Sequence, residues 1–108
     1  MNRKYTVKYS GYFFSDLEDV LDYISDKLEN PSAAKGLYGK VKNEIEKISK
    51  LPMSYPDCTY WYFTEKKYRH CPIGNYSLFF EVDDSNKTVI ILRFLYSGMN
   101  IKKNDLPQ

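Results

Sequence analysis

Cationic and titratable side chains gather late in this chain: Lys66, Lys67, Arg69 and His70 in one short run, Arg93 inside an apolar stretch, and Lys102 in the tail. His70 is the sole histidine, and an imidazole is the side chain that titrates near neutrality unaided. It is therefore the natural acid/base candidate. The structural alternative is a strand histidine packed by its ring against a neighbour. His70 and Cys71 are consecutive on an expected strand, so their side chains leave opposite faces and cannot form a nucleophile–base pair. Cys58 could approach His70, but no spacing demands it.

Arg93 needs a partner, because burying a bare guanidinium is costly. It either forms an ion pair, with Glu81 on the neighbouring strand as the candidate, or opens onto a groove. Lys66, Lys67 and Lys102 read as phosphate contacts or as solvated charge. The aromatic run Tyr55, Tyr60, Trp61, Tyr62 and Phe63 could stack bases or dock a partner, or fold over the helices and close the core. One histidine and two cysteines leave no four-ligand zinc set, and no metal or organic cofactor is indicated.

These groups sit on 108 residues with 43% hydrophobic and 28% charged side chains, the composition of one globular domain spanning 1–108. A formal charge of +2 excludes bulk basicity of the chromatin kind but leaves a local basic patch open. No apolar run approaches the roughly 18–20 residues of a membrane helix. The charged start lacks a signal peptide's apolar stretch, so a cytoplasmic protein with no membrane partner is expected. Tyrosine, at eleven copies, suits interfaces as well as cores.

Periodicity supplies the elements that must position the site. Residues 5–10 alternate as a half-buried strand ended by Gly11. Phe13, Phe14, Leu17, Val20, Leu21, Ile24 and Leu28 form one helical stripe, with Ser15 and Glu18 spaced as a capping box at its start. Asn30-Pro31 restarts a helix whose stripe is Ala34, Leu37, Tyr38, Val41, Ile45 and Ile48, stopped at Leu51-Pro52. The first helix is acidic and the second basic, which favours their antiparallel pairing. Gly36 and Gly39 call for close backbone approach to the sheet or the neighbouring helix. Strands follow at 68–73, 76–82 and 88–96, joined by Gly74-Asn75 and a polar turn at 83–87. The expected fold is α+β in the order β-α-α-β-β-β. Its four-stranded, mainly antiparallel sheet has order 1-4-3-2, with the apolar last strand internal and a helical hairpin on one face.

Particular fragments, in this order, resemble the RelE/ParE superfamily, the toxin halves of bacterial type II toxin–antitoxin modules. They are Tyr5-Thr6-Val7-Lys8-Tyr9, Asp16-Leu17, Tyr23-Ile24-Ser25, Leu28-Glu29-Asn30-Pro31-Ser32-Ala33-Ala34, Tyr68-Arg69, Gly74-Asn75-Tyr76, Phe80-Glu81-Val82, and the run from Val89 through Leu92-Arg93-Phe94 to Ser97-Gly98. The resemblance implies a growth-inhibiting toxin of the plasmid-stabilisation type, bound by a small cognate antitoxin. RelE-like members cut messenger RNA on the ribosome, using a basic cluster that neutralises transition-state charge. Carried onto this chain, the cluster keeps Arg69. It meets Cys71, Ser77 and Met99 where the family commonly has cations, and no terminal tyrosine follows Tyr96. ParE-like members bind DNA gyrase and need no catalytic set, so the departures favour that reading. Lys66, Lys67, Tyr76, Tyr96 and Lys102 would then contact the target. The alternatives are ribosome-dependent mRNA cleavage through Arg69, His70 and Arg93, and an attenuated toxin fold that only binds antitoxin.

Overall fold

A computed structural model describes residues 4–56 and 68–97. The elements are β1 (Thr6–Tyr9), α1 (Gly11–Asp22) continued by a π-helical turn (Tyr23–Lys27), α2 (Pro31–Lys50), a short 3-10 turn (Pro52–Ser54), β2 (Arg69–Ile73), β3 (Tyr76–Asp83) and β4 (Thr88–Tyr96). The sheet order is β1-β4-β3-β2. β1 runs parallel to β4, while β3 pairs antiparallel with both β4 and β2, so the sheet is mixed. This is the expected topology, with β4 internal. Gly74 takes φ +61° at the first position of the β2–β3 turn, where glycine is favoured. Pro72 lies in edge strand β2, where a missing N–H is tolerated.

Both helices cover one sheet face. Phe13, Leu17, Val41 and Ile48 meet Cys71, Leu78, Phe80, Val89, Ile91 and Phe94 in the main core. Tyr68, Phe79, Leu92 and Leu95 form a second buried cluster on the other side. β4 therefore buries side chains on both faces, as its near-continuous apolar run requires. Among the described residues no helix is long and apolar enough to cross a membrane.

Local boundaries depart from the sequence reading. Helix α1 starts at Gly11, not at Ser15, because Ser10 caps it: its Oγ accepts from the Phe13 N–H at 3.2 Å. The same hydroxyl donates to the Leu92 carbonyl, tying the end of β1 to β4. Ser15 and Glu18 are thus interior, and the capping box they spell is not used. At the far end the stripe does not run unbroken to Leu28. The Leu28 N–H bonds the Tyr23 carbonyl at 3.1 Å, one residue beyond the α-helical span. That extra residue rotates the next part of the chain by about 100°. Tyr23 and Leu28 consequently stand half-exposed. Glu29, at φ +50°, ends the segment, and Asn30 caps α2 through the Ala33 N–H.

The close approach expected at Gly36 and Gly39 is not formed. A Cβ at either position would meet nothing within 4 Å, and Gly36 faces solvent. Nor do the oppositely charged helices pair by ion bridges among the described residues. The α2 carboxylates instead take Lys47, Lys50 and Lys4. Exposed charges gain little from fixed pairing, so apolar burial settles how the helices sit.

Candidate functional site

The geometry around Arg93 is set by where β1 stops. β1 matches β4 only as far as Tyr9 opposite Ile91, after which Ser10 turns the chain into α1. β4 continues without that neighbour. Leu92 is an extra residue in the β3–β4 pairing, since Phe80 faces Ile91 and Phe79 faces Arg93. Such a bulge re-aims the side chain beside it. At that free edge of β4 the Asp16 carboxylate accepts from Arg93 Nε at 2.7 Å and Nη2 at 2.8 Å. The same carboxylate accepts from the Phe94 N–H at 3.0 Å, so Asp16 satisfies the strand edge that β1 leaves uncovered. The Tyr12 ring, one helical turn earlier, lies 5.3 Å from the guanidinium carbon. The Glu81 pairing considered for Arg93 is therefore replaced by Asp16. Glu81 sits opposite Ile90, on the far side of the bulge from Arg93.

Arg69 and His70 diverge from each other as neighbours on a strand must. Arg69 lies on the helical side and donates from Nη1 to the Tyr55 carbonyl at 2.6 Å. Tyr55 in turn meets Phe80 edge-on, with ring centres 5.6 Å apart. His70 lies on the opposite side, its ring stacked on Phe79 at 6.3 Å. Burial lowers its pKa below the ordinary 6.5, which favours the neutral imidazole at pH 7. Its backbone N–H bonds the Pro56 carbonyl, so β2 is anchored through Arg69 and His70 to the segment leaving α2. Strand β3 separates Arg69 from Arg93 by two inter-strand steps, roughly 10 Å. Arg69, His70 and Arg93 are not brought to one point.

Cys71 is buried among core residues, and its thiol donates to Glu44 Oε2 at 3.3 Å. Burial first, and then the Glu44 carboxylate, push the thiol up to about 12. A thiol held protonated is a poor nucleophile. Ser77 is buried as well, sharing a hydrogen bond with Ser97 at 3.0 Å. Cys71 and Ser77, where the family resemblance leads cations to be expected, are thus built into the core and the strand end. Lys66, Lys67, Lys102, Cys58 and Met99 lie outside the described residues, as does the aromatic run beyond Tyr55.

Tyr76 and Tyr96 do come together. They are cross-strand partners on β3 and β4, with ring centres 5.9 Å apart, and Tyr76 also stacks on Phe94 at 5.2 Å. They line one side of a cleft of about 600 Å³ whose other side is Asp19, Tyr23 and Leu28 from α1 and the π turn. Burial and then the neighbouring Tyr23 and Tyr96 hydroxyls raise the Tyr76 phenol above its usual range. Sequence reasoning found two of these residues and missed the other wall. It placed Leu28 in the core stripe and counted Asp19 among the acidic charges that favour pairing with the basic second helix. The Asp19–Tyr23 spacing of one helical turn was a legible signal, but the π turn that opens Tyr23 and Leu28 toward the sheet was not.

A family model described as the ParE toxin of type II toxin-antitoxin system, parDE, matches residues 7–101, a span that takes in both helices and all of β2, β3 and β4. In fold the chain is similar to a chain of the RelBE2 toxin–antitoxin complex from Mycobacterium tuberculosis, at 20% identity and a TM-score of 0.58, covering 87% of this chain and 99% of that one. No curated protein sequence matches it. With the mixed 1-4-3-2 sheet and helical cover in place over the matched span, the chain belongs to the ParE toxin family of type II toxin–antitoxin systems.

Proposed function

We propose that this chain acts by binding and arresting a replication protein, DNA gyrase being the target, and that a small antitoxin neutralises it. Both partners would be met in the cytoplasm, in a module of the plasmid-stabilisation type whose unopposed toxin inhibits growth. The observation that carries this reading is the state of the cationic groups an RNase would need. Arg93 commits Nε and Nη2 to Asp16, Arg69 bonds the Tyr55 carbonyl, and His70 lies across the sheet from Arg69 against Phe79. Electrostatic catalysis depends on donors preorganised around one developing charge, and these three do not converge. A binding protein needs no such convergence. An antitoxin partner is supported by the likeness to a chain from a toxin–antitoxin complex.

The test is sudden expression of the chain alone in bacteria with pulse-labelling, alongside supercoiling by purified gyrase. Thymidine incorporation is expected to fall before methionine incorporation, and the purified chain to inhibit supercoiling. Prompt loss of translation with intact DNA synthesis would instead establish the mRNA-cleaving alternative. Untouched supercoiling at high excess would sink the gyrase target.

A further inference from the structure

Helix α1 and its π-helical continuation present a tyrosine and an aspartate one turn apart twice: Tyr12 with Asp16, and Asp19 with Tyr23. The first pair shows what the combination does. Asp16 binds the Arg93 guanidinium through two nitrogens while the Tyr12 ring lies against it. In the second pair the Asp19 carboxylate forms no hydrogen bond or ion pair among the described residues, and those lining its cleft include no cation. The cleft adds two further tyrosines, Tyr76 and Tyr96, and the aliphatic side chain of Leu28. Tyr23, Leu28 and Tyr96 are half-exposed, so the entrance is open to a side chain from outside.

We propose that this cleft is a docking site for an arginine side chain of a partner polypeptide. The Asp19 carboxylate would take the guanidinium N–H groups, the tyrosine rings its flat faces, and Leu28 its aliphatic stem. Charge argues for the same occupant. The run from Asp19 to Glu29 carries Asp19, Asp22, Asp26 and Glu29 against the single cation Lys27, a field that draws a basic segment and repels an acidic one. Arginine is preferred to lysine because its plane stacks on aromatic rings and its fork matches a carboxylate. About 600 Å³ also leaves room for backbone on either side of the arginine, as a peptide needs. Arginine binding in this cleft does not depend on which protein the toxin arrests, so it stands or falls separately from the gyrase reading.

The experiment titrates N-acetyl-arginine amide into the full chain carrying ring-labelled tyrosine and follows each ring by NMR. Saturable shifts are expected at Tyr23, Tyr76 and Tyr96, with a dissociation constant on the order of millimolar for a single side chain. Tyr12, already against Arg93, should stay still and reports that the fold is intact. The uncharged isostere N-acetyl-citrulline amide should bind at least about fivefold more weakly, and Asp19→Asn should weaken the arginine probe to a similar degree. Tyr96→Ala, at an exposed position, should do the same without unfolding the chain. No saturable shift up to roughly 100 mM probe, or equal binding of arginine and citrulline, would overturn the proposal.

Discussion

At the start of α1, Tyr12 and Asp16 enclose Arg93 from β4; toward its end, Asp19 and Tyr23 face a cleft walled by Tyr76 and Tyr96. The side-chain types are the same, and one continuous helical segment carries both pairs. The difference is whether the described residues supply the cation. The bulge at Leu92 turns an arginine into the first corner, where it also lets Asp16 cap the free edge of β4. Among the described residues none does the equivalent in the second corner. A carboxylate beside a tyrosine is thus a structural device or a binding device according to what the backbone brings to it.

The strongest way to break this contrast is Asp16→Ala. It removes the carboxylate that binds the Arg93 guanidinium and accepts from the Phe94 N–H, in a place where the Arg93 and Asp16 side chains are only 21% and 12% exposed. Removing one partner of a buried pair costs several kcal/mol, and partial exposure lowers that, so a loss of about 3 kcal/mol is expected. Urea denaturation measures it as a lower midpoint at unchanged slope. A change below about 1 kcal/mol would mean that Asp16 is not the structural anchor of β4.

Tyr12→Leu sharpens the same corner. It keeps the apolar bulk and removes only the ring against Arg93, so a loss of about 0.5–1 kcal/mol should appear in the same denaturation curves. The effect should vanish in an Arg93→Met background, where no cation faces the ring. A loss that persists there would assign it to packing instead.

How much of this was legible in sequence divides along physical lines. The 1-4-3-2 sheet, the two helices and the internal β4 follow from hydrophobic period and turn residues, which act locally. The Asp16–Arg93 pair joins residues 77 apart in sequence and depends on a one-residue bulge, which no spacing rule reports. The same holds for the π turn, where one added residue per turn leaves composition and period almost unchanged. Ser15 and Glu18 spell a capping box, but Ser10 captured the helix start because its hydroxyl also bonds β4. Of the cleft, Tyr76 and Tyr96 are named from the family resemblance, and the structure shows them to be cross-strand partners. Asp19 and Leu28 reached the cleft through helix geometry that only the structure displays.

His70 offers a contrast on the far side of the sheet, where burial rather than partnership governs a titratable group. Its folded pKa is lowered, so the unfolded chain binds the proton more readily in the window below the ordinary 6.5. Stability should therefore be fully present above that value and fall as pH drops through the window. His70→Gln, which cannot ionise, should flatten this part of the profile. An unchanged slope in the variant would show that other groups drive it.

The smallest expected effect is the most discriminating. Asp19→Ala changes the same residue type on the same helix as Asp16→Ala, yet it removes no side-chain hydrogen bond or ion pair among the described residues. Surface substitutions away from special contacts stay within about 0.5 kcal/mol, and relief of repulsion with the carboxylate of Asp22 could place this one on the stabilising side. A near-silent Asp19→Ala beside a costly Asp16→Ala would mean that the fold gains nothing measurable from the second carboxylate. Its place against three tyrosines is then explained by what it binds, and a loss comparable to that of Asp16→Ala would remove that explanation.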